Sequence, residues 1–291
     1  MRPTNRTMVD LDALTSLFRH GVAGAPELIH LGLSTDLLHG RCRAGGPWQR
    51  LLPGVLLLSG SPPTRVQRIQ AALRYAGEDA LLTGLDALQL HGLQAVPATG
   101  PVHVLVPHQR QLEVPPELRV TRARHVPNPV LRKGFLTAPM ARATLDAAVH
   151  LSREAITAVL AEALNAGMTP TDLDQVGTRP NPEVRAVLSA LPPGPGAVVQ
   201  DAGLPAPRWR AQIHTVDGIA LGTADAWWDD LALAWLFRGP PTTARTLAAA
   251  GVVVAHTPKP RLRQDPAGVT EELTRAATQA RTRPRPEVIA I

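Results

Sequence analysis

The hydrophobic positions of the first sixty residues fall into short helical stripes that end in a hairpin. Val9, Leu11, Leu14, Leu17 and Phe18 recur at helical spacing, and Gly21 stops the run. Pro26 fits the first turn of a second helix, Ala25 to Leu31, where its missing N–H has no helical partner to lose. Gly32 breaks that helix. Ser34 caps a third, with Asp36 in its electropositive first turn and Gly45-Gly46 beyond its end. Leu37, Leu38 and Cys42 are expected on its inward face, with His39 and Arg43 outward and Arg41 at the edge of the apolar stripe. A strand pair follows, beginning at Trp48 and turning at Pro53-Gly54, with Trp48 and Val55 to Leu58 packing on the helices. Three short helices and a β-hairpin are the plan of a winged helix-turn-helix, which sets one helix in the DNA major groove.

Beyond a break at Ser61-Pro62-Pro63, Thr64 to Ala76 is an amphipathic helix with Val66, Ile69, Ala72 and Leu73 inward. Ala80 to Leu93 reads as a second helix containing Gly84. Residues 102–107 and 118–124 read as strands, and Thr137 to Val149 and Ala155 to Gly167 as helices. Gly177 to Ala197, rich in Pro and Gly, is expected to be a linker. After it come strands at Trp209 to Val216 and Ile219 to Thr223 around an Asp217-Gly218 turn, then a strand near Leu231 to Phe237. A helix over Thr242 to Ala250, a buried strand over Val252 to His256, a helix over Pro266 to Arg281 and an irregular tail complete the pattern. The expected architecture is α+β in three parts: a winged helix-turn-helix over 1–60, an α/β middle domain over 61–176 and an α/β domain over 198–291.

Composition narrows the partners. The 291 residues suffice for two or three domains. The net charge is +6 with a pI near 10.7, which suits a polyanion without identifying one. Only Lys133 and Lys259 among the thirty basic residues are lysine, so the excess of arginine, with abundant Ala and Pro, also fits a GC-rich coding bias. The single Cys42 excludes an internal disulfide and suits a reducing compartment. No secretory pattern and no apolar run of about 18 residues occurs, so a cytoplasmic protein without membrane contact is expected.

Three kinds of chemistry can be weighed. On the third helix and hairpin, Arg41, Arg43 and Arg50 are candidates for phosphate neutralisation, and Thr35, His39 and Gln49 for base edges. Asp36 and the mid-helix Gly40 count against tight binding, because one repels phosphate and the other loosens the helix. A solvated arginine face used for protein contacts is the plainer alternative. Near the C-terminus, Asp225 stands where metal-dependent nucleases place a first carboxylate, but the strand LALAWLF that follows brings neither a second acid nor a lysine. Asp229, Asp230 and Glu183 are the remaining acids such an enzyme could use. Trp227 and Trp228 are expected to pack on the sheet. No GxSxG elbow or phosphate loop occurs, His103 and His108 are read as structural, and neither a cofactor nor a bound metal is expected.

Two stretches carry a family likeness. Residues 33–58, with LS, GGPWQR and LLPGV, resemble the winged-helix domain of the AbiEi-like antitoxins of type IV abortive-infection toxin–antitoxin systems. TGLDALQLHGL at 83–93, PVHVLVPHQR at 101–110 and TAPMARATLDAAVHL at 137–151 are similar to the middle region of actinobacterial members. Residues 203–235 and 251–266 resemble the restriction-endonuclease-like (PD-D/ExK) domain that longer members carry. The resemblance implies a transcriptional regulator that binds double-stranded DNA and opposes a nucleotidyltransferase toxin; a homodimer is a further expected partner state, which the sequence does not fix. Asp225 matches the family's aspartate. Leu236 and Arg238 stand about where its next Glu and Asp would be, and Pro192 to Pro195 occupies the region of its first Glu. The implied nuclease-like domain therefore lacks its metal site, and an endonuclease working through Asp225 is the alternative.

Overall fold

Val22, Ala23 and Gly24, too short a run to show alternation, form the strand that opens the first sheet. The computed structural model describes Leu11, residues 14–178 and residues 180–291; Val9 of the expected first helix lies outside the described residues. The chain is a mixed α+β protein with three sheets, divided into two compact units, Met1–His150 and Leu151–Ile291.

The first unit begins with α1 (Leu14–Leu17) and a 3-10 turn over Arg19–Gly21, where His20 and Gly21 take positive φ to swing the chain into β1 (Val22–Gly24). Then come α2 (Ala25–His30), α3 (Thr35–Arg41), β2 (Gln49–Leu52) and β3 (Val55–Leu57), the strands forming an antiparallel sheet in the order β1-β3-β2. Glu27 Oε2 accepts from Gly24 N at 2.8 Å, and Ser34 Oγ accepts from Leu37 N at 3.2 Å, capping α2 and α3 as expected for orphan N–H groups. Leu14, Leu28, Leu33, Leu38, Trp48, Leu56 and Leu58 close one core against the helices. Each such leucine contributes about 2 kcal/mol by leaving water.

All three residues of β1 and of β3 are buried, so the sheet needs cover on its other face as well. That cover is α4 (Arg65–Ala76), capped by Thr64, with Ile69 and Ala72 inward. Arg74 pairs with Glu27 at 2.6 Å, and Gln67 Nε2 donates to the His20 carbonyl at 3.1 Å. The expected boundary at residue 60 is therefore not a break. The same helix packs on the next sheet, and a short Ser-Pro-Pro turn is all that separates the two layers.

That second sheet holds β4 (Leu81–Leu82), β5 (Val102–Pro107), β6 (Leu118–Ala123), β7 (Val130–Arg132) and β8 (Phe135–Thr137), in the order β6-β5-β4-β8-β7. The pairs β4–β8 and β5–β6 are parallel, the others antiparallel. Helix α5 (Gly84–Leu90) follows β4, and α6 (Met140–Ala148) follows β8. The single helix expected over Ala80 to Leu93 is thus a strand and a helix. Gly84, at φ 62°, makes the joint, and an added Cβ there would stand 2.7 Å from His103 Nδ1. The helix expected from Thr137 likewise begins only at Met140, Thr137 belonging to β8.

The second unit opens with α7 (Arg153–Asn165), α8 (Pro170–Asp174), α9 (Pro182–Ala190) and α10 (Pro195–Asp201). The stretch expected to be a linker is folded: α9 buries Val184 and Val187, and α10 buries Val198 and Val199. Its glycines mark close packing rather than slack. A Cβ on Gly194 would strike the Leu164 carbonyl, and one on Gly196 the Gly167 carbonyl. The sheet follows, with β9 (Arg208–Thr215), β10 (Ala220–Trp228), β11 (Leu233–Leu236), α11 (Pro241–Ala249), β12 (Val253–His256), α12 (Lys259–Gln264), α13 (Pro266–Thr282) and β13 (Val288–Ala290). Strand order is β12-β11-β10-β9-β13, antiparallel except for β11–β12. Trp227 and Trp228 point to opposite faces, one packing with Ile213 and Leu247, the other with Val198 and Leu273. The tail expected to be irregular supplies β13. Among the described residues no helix is long and apolar enough to cross a membrane.

Candidate nucleic-acid interface

Helical spacing puts Thr35, Asp36, His39 and Gly40 on one face of α3, and all four are exposed. Arg43 follows, exposed, in the turn after the helix. Leu38 faces the core at 4% exposure, and Cys42 is half-buried against the same cluster. Leu37 does not join them: it is 39% exposed, because Leu33 from the preceding loop fills that part of the core. Burial raises the Cys42 thiol pKa, with Arg50 opposing, which leaves the thiol protonated and suited to packing.

The hairpin completes the site. Arg50 on β2 is exposed and, with Thr35 and His39, lines a groove of about 260 Å³ whose floor is Ala25, Ile29, Leu38, Gly54 and Leu56. The turn at Gly54 is folded back on α2, since Ala25 N donates to the Gly54 carbonyl at 2.8 Å. Among the described residues, Thr35, His39, Arg43 and Arg50 are held by no side-chain hydrogen bond or ion pair.

Two of the six expected interface residues are turned to internal tasks. The Arg41 guanidinium lies 4.7 Å over the Trp48 ring, and its buried Nε meets no acceptor. Its carbonyl receives Trp48 N at 3.1 Å, so this residue joins the end of α3 to the start of the hairpin. Gln49 Nε2 donates to the carbonyls of Ser59 at 2.8 Å and Ser61 at 2.6 Å, fixing the loop after β3. Thr35, His39, Arg43 and Arg50 are exposed; Arg41 and Gln49 are half-buried and engaged within the fold.

The other candidate site is differently arranged. Asp225 on β10 is 8% exposed, and its Oδ2 accepts from the backbone N–H groups of Phe237 at 2.7 Å and Arg238 at 2.8 Å. The Arg238 guanidinium stands 3.8 Å from Oδ1 and also donates to the Asn165 carbonyl. Burial lowers the Arg238 pKa and Asp225 counters it. Asp229 accepts from Trp227 Nε1 at 2.7 Å and lies 3.5 Å from Arg208, while Asp230 and Glu183 are exposed. Among the described residues no three His, Cys, Asp or Glu side chains gather as a metal site.

Sequence reasoning did not find the buried polar cluster of the first unit. Asp146 accepts from Thr83 Oγ1 at 2.7 Å and from Arg142 Nε at 3.0 Å, and Arg65 grips Asp86 through two bonds of 2.7 and 2.6 Å. The only signal available was an arginine and an aspartate four residues apart in an alanine-rich helix. His103 is buried on β5, with Nε2 2.8 Å from Thr121 Oγ1 and the His150 ring 5.7 Å away. Burial, with Arg119 adding to it, pushes its pKa down to about 3. His108 is exposed at the end of the strand, so the two histidines do not meet at one site. These groups are satisfied within the fold, as buried polar groups must be.

No family model matches this chain, and no curated protein does. Among solved structures, the RV2827C protein of Mycobacterium tuberculosis is similar at 14% identity and a TM-score of 0.35, over 62% of this chain and 79% of that one. A likeness of that size carries no argument about function.

Proposed function

We propose that this protein is a DNA-binding transcriptional regulator of the AbiEi-like antitoxin kind, whose first sixty residues act as a winged helix-turn-helix. The observation that carries the reading is the exposed face of Thr35 and His39 on α3, flanked by Arg43 and Arg50, four side chains that make no hydrogen bond or ion pair among the described residues. The order α1-β1-α2-α3-β2-β3 supports it, since α3 is then the helix that enters the major groove. Arg43 and Arg50 neutralise phosphates, and Thr35 and His39 approach base edges. The partner is double-stranded DNA; a nucleotidyltransferase toxin and a second copy of the chain are the further partners this kind of protein implies.

The second unit is read as a restriction-endonuclease-like fold without catalysis. A helix, a three-strand meander, a helix and a strand parallel to the third support the fold, and the commitment of Asp225 to two backbone amides and Arg238 supports the loss of its metal site. A protein-docking use of the first unit is the competing reading, favoured by the exposed Ile29, Leu31 and Leu37 on α2 and α3 and the loop joining them.

The test is a mobility shift of the protein's own upstream DNA across a salt series. Arg43→Ala with Arg50→Ala is expected to weaken binding by at least tenfold and to reduce the log–log salt slope by about 2, one unit for each phosphate that is no longer neutralised. An unchanged slope and affinity would leave the docking reading in its place.

A further inference from the structure

The groove between α2, α3 and the hairpin carries an apolar surface that contact with DNA would leave unused. Ile29 from α2, Leu38 from α3 and Leu56 from β3 line it, with Thr35, His39 and Arg50 beside them. Leu38 and Leu56 are the buried floor, and Ile29, at 46% exposure, is a wall that water still wets. The bond from Ala25 N to the Gly54 carbonyl ties the hairpin turn to α2, so the hollow belongs to the frame of the fold. Wetted apolar surface gains from an apolar occupant that displaces the water. The apolar group that a duplex offers in its major groove is the thymine methyl, far smaller than a groove of about 260 Å³.

The charge at the groove says what kind of occupant fits. Arg50 is exposed and makes no ion pair among the described residues, and no acid is among the groove's lining residues. A planar guanidinium matches a carboxylate through two parallel hydrogen bonds, and the Thr35 hydroxyl and the His39 ring are further polar groups beside it. The volume stands at the small end of ligand sites. From an apolar floor joined to one uncommitted cation we infer that the groove binds a small amphipathic carboxylate. Its apolar body lies against Ile29, Leu38 and Leu56, and its head meets Arg50. Thr35, His39 and Arg50 are also given to DNA in the proposed reading, so carboxylate and duplex exclude each other there. The carboxylate is then an effector that releases the protein from DNA. That consequence rests on the DNA-binding reading; the carboxylate site itself does not.

The experiment titrates the full-length protein with benzoate and with hexanoate by ligand-observed NMR, without DNA. Benzamide and hexanamide, neutral analogues of similar shape, and inorganic phosphate are the controls. Each acid is expected to bind at least roughly tenfold more tightly than its amide and than phosphate. Arg50→Ala should bring acid binding down to that of the amide, and Ile29→Glu should abolish it. Both side chains are exposed, so both variants should melt within about 2 °C of the wild type. Loss of binding in folded variants supports the inference. No binding of either acid at about 10 mM, equal binding of acid and amide, or unchanged binding by Arg50→Ala overturns it. Phosphate binding as tight as that of the acids also overturns it, since Arg50 would then be a phosphate contact alone. A second arm adds saturating benzoate to the mobility shift, where a loss of duplex affinity of at least about tenfold is expected. A shift unchanged by bound benzoate overturns the effector role. Acid binding by a wild type that shifts no DNA supports the carboxylate site and removes the DNA-binding reading.

Discussion

The α3 face and the Asp225 site each hold charged residues that could act on nucleic acid, but they differ in what those residues already do. On α3 and beside it, Thr35, His39, Arg43 and Arg50 are exposed and make no side-chain hydrogen bond or ion pair among the described residues. At Asp225 the carboxylate accepts from two amides and faces a guanidinium, so its lone pairs are engaged before any ion arrives. A group so held stabilises the fold, and breaking its hydrogen bonds to bind magnesium would cost more than one carboxylate returns. The contrast also explains why the two sites tolerate opposite chemistry at their centres. Arg238 is useful as a counter-ion to Asp225, whereas Arg43 and Arg50 have no ion-pair partner among the described residues.

The sharpest way to break that contrast is Asp225→Ala. It would leave Phe237 N, Arg238 N and the half-buried guanidinium without their acceptor, and a loss of about 3 to 5 kcal/mol in the second unit is expected from urea unfolding. DNA binding by the first unit should survive wherever the protein remains folded. Metal-dependent nicking of plasmid by the wild type, abolished in this variant at unchanged stability, would reverse the assignment and make Asp225 a catalytic group.

A smaller effect separates interface from scaffold within the first unit. Gln49→Ala removes two donors to the Ser59 and Ser61 carbonyls, so stability should fall by about 1 to 2 kcal/mol. Sequence preference should not move. A relaxed preference at constant melting temperature would return Gln49 to the DNA-facing set.

These residues show how far the chain could be read unaided. The helix stops at Gly21 and Gly32, the Ser34 cap and the Pro53-Gly54 turn are local signals, set by backbone chemistry within a few residues, and each appears in the structure. The winged-helix expectation drew on these signals, while β1 was too short to announce itself. What could not be read depends on partners far along the chain. Gln49 looks like any exposed amide until the loop at Ser59 folds over it. Leu37 belonged to an apolar stripe until Leu33 took its place. The Pro-Gly run near residue 195 resembles a linker because glycine serves slack and tight packing equally well, and only the nearby Gly167 carbonyl tells which. The same ambiguity hides Asp146, whose role needs Thr83 from sixty-three residues earlier.

The smallest expected effect concerns Asp36, the one acid on the outward face of α3. In the first turn it favours the helix dipole by about 0.5 kcal/mol, yet on the proposed reading it would repel the phosphates that Arg43 and Arg50 attract. Asp36→Asn should therefore melt slightly lower while binding bulk DNA roughly threefold more tightly, since an exposed charge at this distance is worth well under 1 kcal/mol. The informative quantity is discrimination. If Asp36 accepts from the amino group of a cytosine or adenine, the variant gains on random duplex and loses on a duplex selected by the wild-type protein, and the ratio between them narrows. If Asp36 only complements the dipole of the first turn, both affinities rise together and the ratio holds. The first outcome would place selectivity in an unfavourable charge, facing a polyanion that it tolerates only opposite the right base.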